Sequence, residues 1–477
     1  MHRGLLLAAL PLAGCAQLFG IDTTTGGSTG SGASLSIERV SVGAAVTKAP
    51  QDISAEMASF LVGDATGLTF EPALDAAPGE WTASVTGTPP ALFTLPDLPM
   101  GAQHLWALPS SAMKGHLIAF EHPNATMPGA TSALALNVTI PAYNGEGLSV
   151  FAVGAWMAHS LSGAELPALM ATSITATVPY SSFNPAAGNT PARISMADVV
   201  LVLRYTGATL AGVLQATPFD QTDGTDNIGG TMTAVTADKM ISIPLPLASD
   251  LAARYSAVRP AVGAANQSWN ISAAPGASVG VTNGVSLNSG SPAATDTMIS
   301  ASYGNPFESL GWPAILTYGT SASRTYMLNG VAIPLNAALS AQVDAAATSA
   351  PLDAGLPTTI LIGDTTLSTD GQMVTVDQTT PVQIAFIADK PMNTLYSATI
   401  YELVMNGMAY ERHPLLAAVS TMPTFLFPAA TLQTGHTYVI TAGCDQGGFT
   451  SADTGDLQTF SFPRSHGAVD SAVFTVQ

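Results

Sequence analysis

The chain has 477 residues and a formal net charge of −19, and its 13 lysine and arginine residues form no cluster. Phosphate groups are bound by concentrated lysine and arginine, so this charge distribution argues against a nucleic-acid partner. Charged residues make up 9% of the chain and hydrophobic residues 47%, while 44 glycines and 33 prolines provide turns. A chain so poor in the charged residues of exposed helix faces is expected to be all-β, and its length suggests about three domains.

Residues 1–14 have the features of a secretory signal peptide. The start is positively charged through Arg3, residues 4–10 form a short apolar run, and Ala-Gly precedes Cys15. The apolar run is too short to span about 30 Å of hydrocarbon as a permanent helix. We therefore expect residues 1–14 to be removed during export.

The segment Leu12-Ala13-Gly14-Cys15 resembles the lipobox of bacterial lipoproteins. In that family the cysteine thiol receives a diacylglyceryl group, a peptidase cuts before the cysteine, and the new amine is acylated. The resemblance implies a lipid on Cys15, and several acyl chains on one residue are enough for stable anchoring. Ala16 stands where an aspartate favours retention on the inner membrane, so the resemblance implies the outer membrane or the cell surface.

A flexible tether and a first β domain are expected next. Residues 15–32 are rich in glycine, serine and threonine and offer little to bury. Residues 33–126 contain short strand patterns separated by turns rich in proline and glycine, which predicts a β-sandwich. No later stretch has about 18 consecutive apolar residues, so we expect no transmembrane helix.

Strand patterns continue through residues 127–345, which we interpret as one large β domain or two smaller ones. The run Val199 to Tyr205 is continuously apolar except for Arg204, which is typical of a strand covered on both faces. An alanine-rich segment at 341–357 is the predicted linker to a last β-sandwich over residues 346–477.

The spacing of Leu432, Gly435 and Tyr438 resembles the E–F corner of fibronectin type III domains. In that family the glycine makes the turn, and the tyrosine hydroxyl bonds back to the upstream backbone. The resemblance covers roughly 365–477 and implies a fold of tandem immunoglobulin-like or fibronectin type III-like β-sandwiches. Phe386 departs from the family, because many such domains have tryptophan there.

An acidic loop contains the candidate ligands for a cofactor. Asp220, Asp223 and Asp226 lie close together with Gly224, and calcium binds to several oxygens of a turning loop. The EF-hand spacing is not met, and a plain hairpin turn explains the same residues. Calcium is therefore the one candidate cofactor, beside the covalent lipid on Cys15.

No catalytic motif has the context that its chemistry needs. We expect Ser278, in a G-x-S-x-G match, to lie in strand and turn residues rather than a nucleophile elbow. We expect a loop at the Asp453-Thr454-Gly455 triplet and a buried or idle thiol at Cys444. Four residues could bind zinc, although scattered surface residues are the favoured explanation: His104, His116, Glu121 and His122. Three aromatic residues could form a ligand-binding cluster, although core residues are the favoured explanation: Tyr303, Phe307 and Trp312.

These patterns together favour a membrane-anchored, non-catalytic surface lipoprotein with a binding, spacer or scaffold role. They resemble multi-domain surface lipoproteins, whose partners are the membrane and a protein or glycan at the cell surface. The alternative is a substrate-binding or hydrolytic lipoprotein, directed at carbohydrate, with its site in residues 127–345. A pocket that gathers Glu308, a histidine and the aspartates of the acidic loop would favour that alternative.

Overall fold

The structure is a computed structural model, and its regular elements are β-strands apart from short 3₁₀ turns and helical residues at 251, 253 and 254. This confirms the expected all-β class with several sheets arranged as tandem sandwiches. The predicted signal peptide, Cys15 and most of the tether lie outside the described residues. The described residues are 20–21, 32–51, 59–64, 67–72, 74–77, 80–84, 92–95, 103–107, 112–120, 132–185, 193–244, 251, 253–254, 266–293, 298–346, 354–390, 393–448 and 461–477.

The segment predicted as the first sandwich divides its strands between two sheets. The strand β1 (Gly20–Ile21) lies within the predicted tether, and the strands that follow it are β2 (Gly32–Val42), β3 (Val46–Pro50), β4 (Ser59–Asp64), β5 (Gly67–Pro72), β6 (Leu74–Ala77), β7 (Glu80–Ser84), β8 (Leu92–Leu95), β9 (Gln103–Ala107) and β10 (Ala112–Ala119). One sheet has the order β1-β10-β2-β7-β6, with β3 also on β2. In the other sheet, β9, β8, β4 and β5 pair in that order.

The next strands form a sandwich with its own core. They are β11 (Ala133–Thr139), β12 (Gly147–Ala152), β13 (Met157–Ser160), β14 (Ser173–Pro179), β15 (Asn184–Pro185), β16 (Val200–Thr206), β17 (Thr209–Gln215), β18 (Thr225–Thr231) and β19 (Thr233–Ala234). The sheet β14-β11-β18 packs against the sheet β15-β13-β12-β16-β17-β19. Alternation decides the inner face: Leu134, Leu136 and Val138 of β11 are buried, whereas Asn137 and Thr139 are exposed.

A second core follows, and β16 belongs to both. The strands are β20 (Lys239–Pro244), β21 (Asn266–Ala273), β22 (Val285–Gly290), β23 (Met298–Tyr303), β24 (Ala314–Leu328) and β25 (Val331–Asp344). Val200 and Val202 of β16 pack into the first core, and Leu201 and Leu203 pack into the second. The continuous apolar run is therefore explained by burial of β16 on both faces.

The last sandwich contains β26 (Pro357–Ile362), β27 (Thr365–Thr366), β28 (Gln372–Val374), β29 (Val382–Ala388), β30 (Leu395–Asn406), β31 (Ala409–Ser420), β32 (Thr424–Phe427), β33 (Thr437–Gln446), β34 (Arg464–Asp470) and β35 (Phe474–Val476). The sheet β27-β26-β29-β32 packs against β30, β31, β33 and β35. Phe386, Phe425 and Phe427 stack along this core. The ring centroids of Phe386 and Phe425 are 5.9 Å apart, and those of Phe425 and Phe427 are 6.3 Å apart.

One long sheet joins the second core to the last sandwich. Its order is β22-β21-β24-β25-β34-β33-β30-β31-β9-β8-β4-β5. β25 pairs with β34 from Ala337 opposite Val469 to Gln342 opposite Arg464. Since β25 extends to Asp344, the predicted linker at 341–357 begins inside a strand rather than after it.

Two tryptophans hold the turn between β2 and β3 against the second core. The indole Nε1 of Trp156 donates a hydrogen bond to the Val42 carbonyl. The indole Nε1 of Trp312 donates to the Ala44 carbonyl over 3.0 Å. Trp156 has φ of +47°, a left-handed conformation that residues with a side chain rarely adopt, so the surrounding contacts must hold it there.

We predict that Trp312→Phe loosens this turn. The phenyl ring keeps the aromatic contact but leaves the Ala44 carbonyl without its donor, which costs about 1–3 kcal/mol for a buried group. Hydrogen exchange should become faster at residues 42–46, and the urea midpoint should fall. Trp269→Phe is the matched control, because that indole is half-buried over Gly290 and not at the turn. Equal effects of the two changes would contradict the assignment.

Candidate functional site

Three charged or titratable side chains meet where β33 pairs with β34, and we call them the β33–β34 cluster. Asp445 and His466 are direct cross-strand partners, and Arg464 lies on the same face of the sheet. The Arg464 guanidinium donates to Asp445 Oδ1 through Nε at 2.9 Å and Nη2 at 2.7 Å. His466 Nδ1 lies 3.1 Å from the same oxygen. Asp445 Oδ1 therefore accepts two hydrogen bonds from Arg464 and lies beside the His466 ring.

The charge state of Asp445 is set by these partners. Burial by itself would raise the pKa of the carboxyl group, because a low-dielectric interior disfavours the charged form. Arg464 and then His466 outweigh burial and hold the pKa of Asp445 well below its usual range. Asp445 is only 6% exposed. It is thus a buried carboxylate whose cost of desolvation is offset by the largely buried Arg464 side chain, which is 12% exposed.

The Asp445–His466 pair has the arrangement by which a carboxylate orients a catalytic histidine, so its access to a nucleophile matters. Ser397 of β30 is the hydroxyl next to it, across Gly443. A Cβ added to Gly443 would lie 2.5 Å from Ser397 Oγ and 3.5 Å from His466 Nε2. Within the described residues, His466 Nε2 is buried and makes no hydrogen bond. A general base must lie within hydrogen-bond reach of the proton that it removes and must be accessible to the substrate. The buried His466 Nε2 makes no such hydrogen bond in the described residues, so this geometry gives little support to a catalytic role.

A second ion pair lies on the opposite face of the sheet. Arg254 donates to both Asp389 oxygens, with Nη2–Oδ1 at 2.8 Å, and also to the Ala354 carbonyl at 2.9 Å. The Leu356 amide donates to Asp389 Oδ1 at 2.7 Å. Burial acts to raise the pKa of Asp389, but Arg254 and this amide lower it overall. These bonds hold residues 354–356, which precede β26, against the face of β34.

The backbone shows how close this approach is. A Cβ on Gly467 of β34 would lie 2.4 Å from the Gly355 carbonyl oxygen, so only glycine fits there. Cys444 is the cross-strand partner of Gly467 and points to the same, core-facing side. Burial raises the pKa of the Cys444 thiol, which is the expected behaviour of an inert, buried cysteine.

The acidic loop of the middle region binds protein donors. Asp220 Oδ1 accepts from the Met196 amide at 2.9 Å, and Asp223 forms an ion pair with Arg193. Asp226 Oδ1 accepts from Thr222 Oγ1 at 2.9 Å, within the same turn. In the part of the chain that the structure describes, no three His, Cys, Asp or Glu side chains are grouped to hold a metal ion. The three carboxylates therefore stabilise the turn through three different partners.

The remaining candidates from the sequence are also placed. Ser278 is exposed in the 3₁₀ turn Ala277–Val279, and the following residues lead into β22 instead of a helix. Glu308 pairs with Lys239 and does not join the acidic loop. Tyr303, Phe307 and Trp312 are each at most 3% exposed and belong to the second core. His104 and His116 fall in β9 and β10, whereas Glu121, His122 and Asp453-Thr454-Gly455 lie outside the described residues.

The corner residues lie at the start of β33. Leu432 and Tyr438 are fully buried, and Gly435 has φ of +84°, which favours glycine. The Tyr438 hydroxyl accepts a hydrogen bond from the Gln433 amide at 2.8 Å. This bond connects the loop before β33 to the second residue of the strand, and β33 begins at Thr437.

A buried ion pair also fixes the first sheets of the middle region. Arg204 of β16 forms an ion pair with Glu146 and donates to the Pro141 and Ala142 carbonyls at 3.3 and 3.2 Å. Burial acts to raise the pKa of Glu146, but the Arg204 hydrogen bond and two backbone amides bring it down to about 2. Arg204 therefore ties the loop before β12 to the continuous strand β16.

We predict that Arg464→Met destabilises the protein by about 3–5 kcal/mol, because it leaves Asp445 as a buried charge without its guanidinium. Urea unfolding monitored by tryptophan fluorescence measures the loss. Lys239→Met is the matched control, since the Lys239–Glu308 pair is largely exposed and should contribute at most about 1 kcal/mol. Adding Asp445→Asn to Arg464→Met should recover part of the loss. If the control cost as much as Arg464→Met, the cluster would not be the structural element we assign.

We predict that Glu146→Gln costs about 1.5–3 kcal/mol at pH 6 and much less near pH 2. The folded pKa is about 2 against an ordinary value of 4.5, so the stabilisation is complete above pH 4.5 and is lost as pH falls toward 2. Urea unfolding of both proteins across this range gives the difference. Glu411→Gln is the control, because Glu411 is exposed, and its effect should stay small throughout. A Glu146→Gln effect that did not change with pH would rule out this linkage.

In the described residues, no helix combines the length and apolar character needed to cross a bilayer. No protein-family model matches the chain, and no curated protein matches it.

Proposed function

We propose that this protein is a membrane-anchored, non-catalytic envelope lipoprotein whose fused β-sandwiches form a scaffold or spacer that presents a binding surface outside the cell. The observation that carries the proposal is the single sheet shared by the second core and the last sandwich. Domains joined by polar linkers normally move relative to each other. A sheet that continues across the joint removes that freedom, which suits a part that must keep a fixed length and shape.

The contacts at this joint support the scaffold role. The β25–β34 pairing is accompanied by the β33–β34 cluster on one face and the Arg254–Asp389 pair on the other. Asp470 adds a third connection, because it accepts from the Asn336 amide at 2.7 Å, from Thr441 Oγ1 at 2.6 Å and from Arg412 at 2.8 Å. The buried Asp470 carboxylate therefore connects β25, β33 and β31 through hydrogen bonds.

The proposed anchor is the lipid on Cys15. Acyl chains contribute about 0.8 kcal/mol per buried CH₂, so a triacylated cysteine holds a protein of this size at a membrane. Cys444 is buried in the last core, so we propose Cys15 as the modified cysteine. The partners we propose are the membrane, through this lipid, and a protein or glycan at the surface.

The alternative of a substrate-binding or hydrolytic lipoprotein has less support. Its site was expected in residues 127–345, where the candidate carboxylates Asp220, Asp223 and Glu308 are each engaged by a protein donor. Among the described side chains, the Asp–His pair that resembles catalytic geometry is Asp445–His466 in the last sandwich, and His466 Nε2 is buried.

The proposal predicts that Cys15→Ala moves the protein from the membrane fraction to the soluble fraction and abolishes labelling with a fatty-acid probe. Cys444→Ala is the matched control and should keep both the label and the membrane location. Retention of the Cys15→Ala protein in membranes would show that the anchor is elsewhere.

The same soluble variant tests the scaffold. Small-angle scattering of purified Cys15→Ala protein should fit one rigid particle, because the joints are hydrogen-bonded sheet and not linkers. A scattering profile of independently moving domains would contradict the role, and so would the absence of any envelope protein or glycan that binds the chain.

A further inference from the structure

The methionines of this protein are distributed in an unusual way. Two of those with described side chains, Met157 and Met232, are buried in the cores. Nine others are between 45% and 92% exposed, and we call them the exposed methionines: Met170, Met196, Met240, Met298, Met327, Met373, Met405, Met408 and Met422. In the described part of the chain they make up nearly all of the strongly exposed large hydrophobic side chains, the others being Leu169 and Ile387.

A general surplus of apolar residues does not explain this pattern. Methionine is normally among the more buried residue types, together with leucine, isoleucine and valine. The cores here are filled by leucine, isoleucine, valine and phenylalanine, and these residues are almost absent from the strongly exposed set. A surplus that spilled onto the surface would expose all of these types. The surface therefore selects the thioether side chain itself.

The positions of the exposed methionines do not form one docking patch. Met240 and Met298 lie on the outer face of the two-stranded sheet of β20 and β23. Met327, Met405 and Met408 lie at the tips of two long hairpins, which touch through Asn329 Nδ2 and the Tyr410 hydroxyl at 3.0 Å. The remaining ones are in separate turns and strands. A distributed set is what an accessible reagent requires, whereas a partner protein would need one contiguous surface.

We propose that the exposed methionines are a modification site: a surface that consumes two-electron oxidants such as hypohalous acids and peroxides, and is converted to methionine sulfoxide. With hypochlorous acid, the sulfur lone pair attacks chlorine and hydroxide leaves. Water then adds to the chlorosulfonium sulfur, chloride leaves, and two protons are released. The sulfur loses two electrons, the chlorine gains two, and the net products are sulfoxide, chloride and one proton.

The fold is built to survive this reaction. Sulfoxide formation makes a flexible apolar side chain polar, which disrupts a core but changes little on a surface. Among the methionines with described side chains, Met157 and Met232 are the two whose oxidation would damage packing, and both are at most 5% exposed. The Cys444 thiol is buried, and burial raises its pKa, so its reactive thiolate form is disfavoured. Oxidation therefore falls on the side chains that carry no packing, and reductases that act on methionine sulfoxide can reverse it.

The test is oxidant titration of the folded full-length protein, with peptide mass spectrometry at each methionine. With hypochlorous acid or hydrogen peroxide, the unmodified form of the nine exposed methionines should be nearly lost while most of Met157 and Met232 stays unmodified. The urea midpoint of the oxidised protein should stay close to that of the untreated protein. In urea, where the chain is unfolded, all methionines should oxidise alike.

A triple variant and oxidation of the protein in intact cells provide two further tests of the proposal. Replacing Met240, Met298 and Met408 by leucine should lower oxidant consumption by the equivalents those three sulfurs provide, with an unchanged urea midpoint. Oxidation of Met157 and Met232 as fast as the exposed set, or unfolding before the exposed set is consumed, would overturn the proposal. So would protection of the exposed methionines in intact cells, since that result would assign them to a covered docking surface.

Discussion

The architecture depends on the backbone hydrogen bonds between β25 and β34. β25 and Val469 of β34 pack into the second core, and β34 pairs on its other edge with β33, whose Ala442 and Cys444 pack into the last core. These pairings place both cores on the same side of one sheet. Burial of apolar side chains stabilises each core by itself, but burial does not fix how one core is oriented relative to the other. The directed bonds of a β ladder do fix it, because a shift by one residue would turn every inward side chain outward.

The ion pairs near this ladder follow from the same constraint. The second and last cores lie on one side of this sheet, and Asp445, Arg464 and His466 lie on the other side. Buried charges of this kind often add little net stability compared with apolar residues, but they penalise every alternative pairing that would separate them. Their contribution here is to the choice of register, and the same holds for Asp470, which connects β25, β33 and β31.

Sequence patterns were informative wherever the cause of structure was local. Period-two alternation and turn residues indicated the all-β class, and the run through Val200 and Leu203 indicated a strand covered on both faces. The partnership of Asp445 and His466 was not predictable, because it arises from strand register between residues far apart in the chain. The strand at 341–344 was missed because its alternation, with Ala341 and Val343 inward and Gln342 and Asp344 outward, is only four residues long before the alanine-rich residues begin. The number of methionines is evident from the sequence, but their exposure depends on which face each strand buries.

The parallel pairing of β2 with β10 determines how the first sheet responds to mechanical force. β2 runs from Gly32 alongside β10, with Ala112 opposite Ser34 and Ala119 opposite Ser41. Tension applied to the chain before Gly32 enters one end of this pair and leaves from the opposite end, after Ala119. The two strands are therefore loaded in shear, so their hydrogen bonds resist together and do not open one at a time. Such tension would therefore reach the cores of the protein without separating β2 from β10.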